Sequence, residues 1–192
     1  MQKVGVLALQ GDFEAHAHAL ARAGATPVEV RNVSDLDDLA GLVIPGGEST
    51  TMLKLMNLEG MVEPLVEFGK KRPIFGTCAG AILLASEVSH PPQQSLALMD
   101  IAVERNAYGR QIDSRVAHLT PEAEFKQRTG AGDLEAVFIR APIIRRVGPQ
   151  ARVLATYQGD PVLVEQGRHL VATFHPELGS DSRVHELFLS KL

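Results

Sequence analysis

Short apolar runs alternate with stretches of helical periodicity through the first 88 residues, and this alternation restricts the fold more than any other feature of the chain. "KVGVLAL" (3–9) reads as a strand, and residues 12–23 follow with Phe13, Ala17, Leu20 and Ala21 at helical spacing. "TPVEV" (26–30) gives a second strand and "GLVI" (41–44) a third, bounded by Gly and Pro. The loop "PGGEST" (45–50) leads to a helix with Met52, Leu55 and Met56 on one face. A helix over about 61–70, the strand "PIFGT" (73–77) and a helix over 80–88 complete the series. Continuous apolar runs this short suit strands covered on both sides. Such alternation demands a parallel sheet with helices on both faces. The expected fold class is α/β, a three-layer α/β/α arrangement around a mixed, mainly parallel central sheet.

The second half reads differently. Strand candidates fall at 101–106, 114–120, 135–141, 151–157, 161–166 and 168–174, with short polar joints and a hairpin turn at Gln166-Gly167-Arg168. The C-terminal portion should therefore add antiparallel strands. A last helix follows Ser180-Asp181, either of which can cap it, with Val184, Leu187 and Phe188 facing inward. Residues 89–96 and 121–133 are polar and rich in turn formers, and are expected to be the least ordered. No repeat or linker divides the chain, so 1–192 is expected to be one domain.

Composition removes several classes of function. The single cysteine, Cys78, can form neither an internal disulfide nor a Cys-rich zinc site, which suits a reducing cytoplasm. The net charge is −4, and Arg140, Arg145, Arg146 and Arg152 are separated by apolar residues rather than forming a run, so nucleic acid is not an expected partner. The N-terminus lacks a cationic lead-in and cleavage site, and no apolar run approaches the roughly 20 residues that span a bilayer, so neither a signal peptide nor a membrane partner is expected.

Three motifs carry chemistry. "FGTCAG" (75–80) places Cys78 between glycines at a strand-to-helix junction, the setting of a nucleophile elbow. There the helix N-terminus favours thiolate over thiol. Alone, the motif fits a small buried cysteine in a packed βα junction equally well. "FHPEL" (174–178) puts His175 and Glu177 two apart at a strand end, on one face, so that the carboxylate can orient a general base. Alone, it is more simply a polar strand end. "PGGEST" offers backbone N–H groups near Gly46-Gly47 as one arm of an oxyanion hole, with the Ala79 N–H as the other. Alone, it is a turn with Ser49 or Thr50 as helix cap. The chain order Cys, His, Glu departs from that of α/β-hydrolases, whose acid precedes the histidine. His16 and His18, two apart on a helix, diverge and form no metal pair, and His90, His118, His169 and His185 show no ligand spacing.

In this order and on these elements, the three motifs resemble those of the triad glutamine amidotransferases, the class I glutaminase domains, whose sheet is flavodoxin-like. "GVLALQGD" (5–12), "PGGESTTM" (45–52), "GTCAGAILLA" (76–85), "VERNAYGRQ" (103–111), "VFIRAP" (137–142) and "FHPEL" extend the likeness to the glutaminase subunits of pyridoxal 5′-phosphate synthases. The resemblance implies Cys78 as nucleophile, His175 and Glu177 as its partners, and Gly47 and Ala79 at the oxyanion. It also implies L-glutamine binding by Gly47, Glu48, Ser49, Arg105, Ile139 and Arg140. No cofactor and no metal are implied. The implied partner is a (βα)8-barrel synthase subunit in a large hetero-oligomer, which receives the ammonia and switches the glutaminase on by ordering the oxyanion loop. A glutaminase serving another acceptor, such as imidazole glycerol phosphate synthase, lacks "VERNAYGRQ". A redox sensor on the same fold has no need of His175-Pro176-Glu177.

Overall fold

The apolar runs pair side by side in a computed structural model of the protein, which describes residues 1–107 and 114–192. Strands β1 (Lys3–Leu7), β2 (Thr26–Val30), β3 (Gly41–Ile44) and β4 (Ile74–Thr77) are parallel, and β12 (His169–Ala172) joins them beside β4. β11 (Asp160–Gln166) and β10 (Arg152–Tyr157) continue the sheet antiparallel, in the order β10-β11-β12-β4-β3-β1-β2. The β11–β12 hairpin turns at Gly167-Arg168, with Gln166 opposite His169.

Alternation along the buried strands sends side chains into two cores. Val4, Val6, Val43 and Phe75 face Leu20 of α1 (Phe13–Arg22) and Leu187 and Phe188 of α6 (Arg183–Leu189). Leu7, Leu42, Ile44 and Ile74 face Met52 and Met56 of α2 (Ser49–Leu58), Leu65 of α3 (Val62–Lys71) and Leu83 of α4 (Ala79–Leu84). These are the three layers expected of βα alternation. The order β2-β1-β3-β4-β12 is that of a flavodoxin-like sheet, whose ligands lie beyond the carboxyl ends of the strands where the order reverses. The loops after β1, β3, β4 and β12 all leave from that edge.

Four local expectations need correction. The helix expected over 80–88 ends at Leu84, and Ala85–Ser89 is strand β5. The segment after it takes the carbonyls a longer helix would need: Leu96 N–H donates to Leu83, Leu98 N–H to Leu84 and Ser95 Oγ to Ala85. β5 then pairs with β6 (Met99–Glu104), which pairs with β9 (Ile143–Val147), a strand the sequence did not suggest. Residues 121–133 are not irregular throughout, since α5 (Ala123–Thr129) forms there around the fully buried Phe125. It follows the hairpin strand β7 (Arg115–Leu119) and precedes its partner β8 (Leu134–Phe138). At α2 the cap is Glu48 rather than Ser49 or Thr50, its carboxylate accepting from the N–H groups of Thr50 and Thr51. At α6 the N-cap position is Ser182, while Asp181 Oδ1 accepts from the Arg183 N–H.

Candidate active site

Cys78 occupies the turn between β4 and α4 with φ +49° and ψ −106°, a backbone conformation that residues with side chains rarely adopt. Its N–H donates to the Ala172 carbonyl of β12, which fixes the elbow to the neighbouring strand. A side chain on Gly76 would lie 2.5 Å from the carbonyl carbon and oxygen of Gly80, and one on Gly80 would collide with the Ile44 carbonyl. Only glycine permits this approach of helix to strands, and the approach aims Cys78 at the open edge of the sheet. The sulfur is nearly buried, 3.8 Å from the Ile139 carbonyl and 4.0 Å from that of Arg140.

His175 faces it. The sequence places His175 and Glu177 on a strand end, but β12 stops at Ala172, and His175 caps a 3-10 turn at Pro176–Leu178 that contains Glu177. Proline at the first turn position favours that turn, which folds the Glu177 carboxylate back onto the ring: His175 Nδ1 lies 2.6 Å from Glu177 Oε1. The His175 N–H donates to Val137, tying the loop to β8. Burial opposes an imidazolium here, but hydrogen bonds and charge from Cys78 and Glu177 outweigh it and push His175 up to about 10. The ring is therefore held between sulfur and carboxylate and is protonated at neutral pH.

The loop after β3 closes the third side. A side chain on Gly46 would meet His175 Cε1 at 2.5 Å and Cys78 Cβ at 3.3 Å, so the Pro45-Gly46-Gly47 backbone lies directly against the pair. Gln10 from the β1 loop accepts the Glu48 N–H at 2.9 Å, and a side chain on Gly47 would strike that amide. Ala79 opens α4, and an N–H at that first helical position has no acceptor one turn earlier in the helix. Burial raises the Glu48 carboxyl, but hydrogen bonds from Thr51 and Thr50 and the Arg105 guanidinium hold it below the usual carboxylate range. Arg105 Nη2 donates to Thr50 Oγ1 at 2.6 Å and lies 3.7 Å from Glu48 Oε1. Ser49 is buried and donates to Gln93 Oε1.

Cys78, His175 and Glu177 thus come together, with Gly47 and Ala79 beside them and Glu48, Ser49 and Arg105 grouped across the β3 loop. Ile139 and Arg140 reach Cys78 through their carbonyls, while the Arg140 side chain is exposed. Tyr108 to Gln111 of the "VERNAYGRQ" block lie outside the described residues. Three residues given no role from sequence also belong to this neighbourhood: Gln10, Gln93 and His16. Gln10 stands inside the quoted "GVLALQGD" block, so its position was visible there, whereas no local signal marked the other two.

A cysteine elbow and a paired His–Glu at the carboxyl edge of a flavodoxin-like sheet define the class I glutamine amidotransferase fold. Residues 6–192 match the model of the SNO glutamine amidotransferase family, and the chain belongs to that family. It is 64% identical over the full length of both chains to "Pyridoxal 5′-phosphate synthase subunit PdxT" of Solibacter usitatus (strain Ellin6076). It is 55% identical to the protein of the same name from Koribacter versatilis (strain Ellin345), covering 97% of this chain and 94% of the relative. Among solved structures, one described as "Crystal structure of glutamine amidotransferase" superposes with a TM-score of 0.89 at 46% identity, covering 98% of this chain and 97% of that one.

Proposed function

We propose that the chain, acting as one glutaminase domain, hydrolyses the side-chain amide of L-glutamine to glutamate and ammonia, and passes the ammonia to a pyridoxal 5′-phosphate synthase subunit. The observation that carries this reading is the strained Cys78 elbow facing a histidine that Glu177 holds at 2.6 Å, in a chain of this family. The Cys78 thiolate attacks the amide carbon, and the oxyanion of the tetrahedral intermediate meets the N–H groups of Gly47 and Ala79. The His175 imidazolium gives its proton to the departing nitrogen, leaving a γ-glutamyl thioester. Neutral His175 then takes a proton from water as it attacks the thioester, and glutamate leaves as the thiolate is restored. Glu177 keeps the Nδ1 proton in place throughout.

Glutamine is a zwitterion at its backbone end. Arg105 suits its carboxylate, while the Glu48 carboxylate and the carbonyls of Ile139 and Arg140 are acceptors suited to its ammonium and amide. Ser49 completes the floor beside Gly47. The chemistry needs no cofactor. The names of the relatives support a synthase subunit as partner, which we take to be a (βα)8 barrel within a hetero-oligomer, and the lone cysteine suits a cytoplasmic assembly. The test is glutamate release by the chain alone and with that synthase subunit. Stimulation by the subunit is expected, and its absence would remove the assignment of partner.

A further inference from the structure

Directly beneath Glu177 lies a buried group that the catalytic steps leave unused. His16 of α1 is fully buried, with Nε2 at 3.3 Å from Glu177 Oε2 and 2.9 Å from Thr77 Oγ1, and Nδ1 at 3.0 Å from Nε2 of the equally buried His185 on α6. Among the described residues Glu177 Oε2 accepts no hydrogen bond, and the polar contact it makes is with His16 Nε2 at 3.3 Å. From this arrangement we infer that His16 is a positioning residue for the reaction, holding the far oxygen of Glu177 so that the near one stays on His175. The inference rests on the proposed glutaminase reading.

Proton placement follows from the chemistry of the partners. The hydrogen bond of His16 Nε2 is with Thr77 Oγ1, and the buried carboxylate oxygen 3.3 Å away favours an N–H over a lone pair at that nitrogen, so Nε2 carries the hydrogen. Nδ1 of His16 is then an acceptor, and His185 must donate to it through Nε2. That leaves His185 Nδ1, which has no hydrogen-bond partner among the described residues, as a bare lone pair rather than a stranded N–H. The opposite arrangement would bury an unpaired N–H on His185 and turn a lone pair of His16 toward the carboxylate. The two facing nitrogens are at hydrogen-bond separation, so a proton and not a metal ion lies between them. Burial holds His16 well below its ordinary value, reinforced by the nearby His185 and His175, and burial with Arg22 lowers His185 to about 4. Both rings are neutral at physiological pH. The other ring against this pair is Phe75, which meets both edge-on and adds no charge. The result is an ordered chain, His185 to His16 to Glu177 to His175, in which each hydrogen has one placement.

Two substitutions separate reach from burial. His16→Gln places an amide N–H near the former Nε2, whereas the shorter side chain of His16→Asn can meet His185 but not Glu177. With the synthase subunit present, and below the melting temperature of every variant, His16→Asn should lower kcat about 10- to 100-fold with KM unchanged, as expected for leaving a buried carboxylate oxygen without its polar neighbour. His16→Gln should recover most of it. Equal kcat in both variants and the wild type, or a fall in melting temperature alone, would overturn the inference. The unmodified protein gives a second test should the variants not fold: nitrogen NMR of labelled histidines should show His16 as the neutral Nε2–H tautomer. An Nδ1–H tautomer or an imidazolium would overturn it equally. If the wild type with its synthase releases no glutamate, it is the glutaminase reading that fails; an active wild type with indifferent variants means that only the role of His16 fails.

Discussion

Two polar clusters flank Cys78, built from similar residue types in opposite surroundings. On one side His175, Glu177 and His16 are buried, Glu177 being 5% exposed and His16 not at all. On the other, Glu48 keeps 55% of its side chain in solvent, beside Thr50 and an Arg105 side chain that is 11% exposed. In the dry cluster a charge without a partner is costly, so each proton has a fixed place and each group depends on the next. In the wet cluster the Glu48–Arg105 pair contributes little to stability, and its members can exchange each other for a zwitterionic substrate at small cost. The dry side is suited to proton transfer and the wet side to recognition.

If this division holds, substitutions in the dry cluster act on kcat and those in the wet cluster on KM. The largest effects belong to Cys78→Ser and His175→Asn, each expected to lower glutamate release by about 10⁴-fold or more, with circular dichroism unchanged. Glu177→Ala removes an orienting group rather than a reacting one, and its loss should be roughly 100-fold smaller than that at the nucleophile. Steady-state assays with the synthase subunit measure both. A Glu177→Ala enzyme as active as the wild type would show that the buried cluster is only packing.

Arg105→Met is the counterpart on the wet side. Losing one charge-assisted contact to the substrate carboxylate should raise KM about 10-fold and leave kcat within a few-fold. A fall in kcat with unchanged KM would erase the proposed contrast between the clusters.

The two sides also differed in how far sequence could reveal them. The elbow, His-x-Glu and Pro-Gly-Gly motifs are local, and each places its residues through a short turn, so the strands that carry them were legible from apolar runs alone. Contacts between distant segments were not. His16 and His185 are 169 positions apart, and their pairing exists only once α1 and α6 lie side by side on one face of the sheet. β9 was obscured because Arg145 and Arg146 interrupt its apolar run at a break in register, where both are exposed and pair with Glu104, Asp100 and Glu87. α5 has one apolar anchor, Phe125, and only a tertiary core makes burying it worthwhile.

Protonation separates the buried histidines into two kinds, with opposite consequences for stability. His175 is raised to about 10, so the folded chain holds a proton that the unfolded chain releases near 6.5. Its contribution is full below 6.5 and is lost as pH rises toward 10. His169 and His185 are lowered to about 4, chiefly by burial, so the unfolded chain binds protons that the folded one refuses, and stability falls as pH drops from 6.5 toward 4. Melting temperatures across pH 4–10 should show both flanks, and the difference between the wild type and His175→Asn should shrink on the alkaline flank only. A difference that is constant with pH would mean that His175 is not held as the imidazolium.

The smallest expected effect tests how Glu48 divides its two duties. Its carboxylate accepts from the N–H groups of Thr50 and Thr51 and from Thr51 Oγ1, which leaves few lone pairs for a ligand. Glu48→Gln keeps one oxygen for the helix end but loses the negative charge that the α2 N-terminus favours. The cost should be about 0.5–1 kcal/mol, read from chemical denaturation at neutral pH. The same variant also removes the carboxylate 3.7 Å from Arg105, which keeps its hydrogen bond to Thr50 and is freer to meet the substrate carboxylate, so KM should change less than in Arg105→Met. If Glu48→Gln instead raises KM as strongly as Arg105→Met with no loss of stability, the carboxylate is a substrate ligand before it is a cap, and the wet cluster is fixed in a single arrangement just as the dry one is.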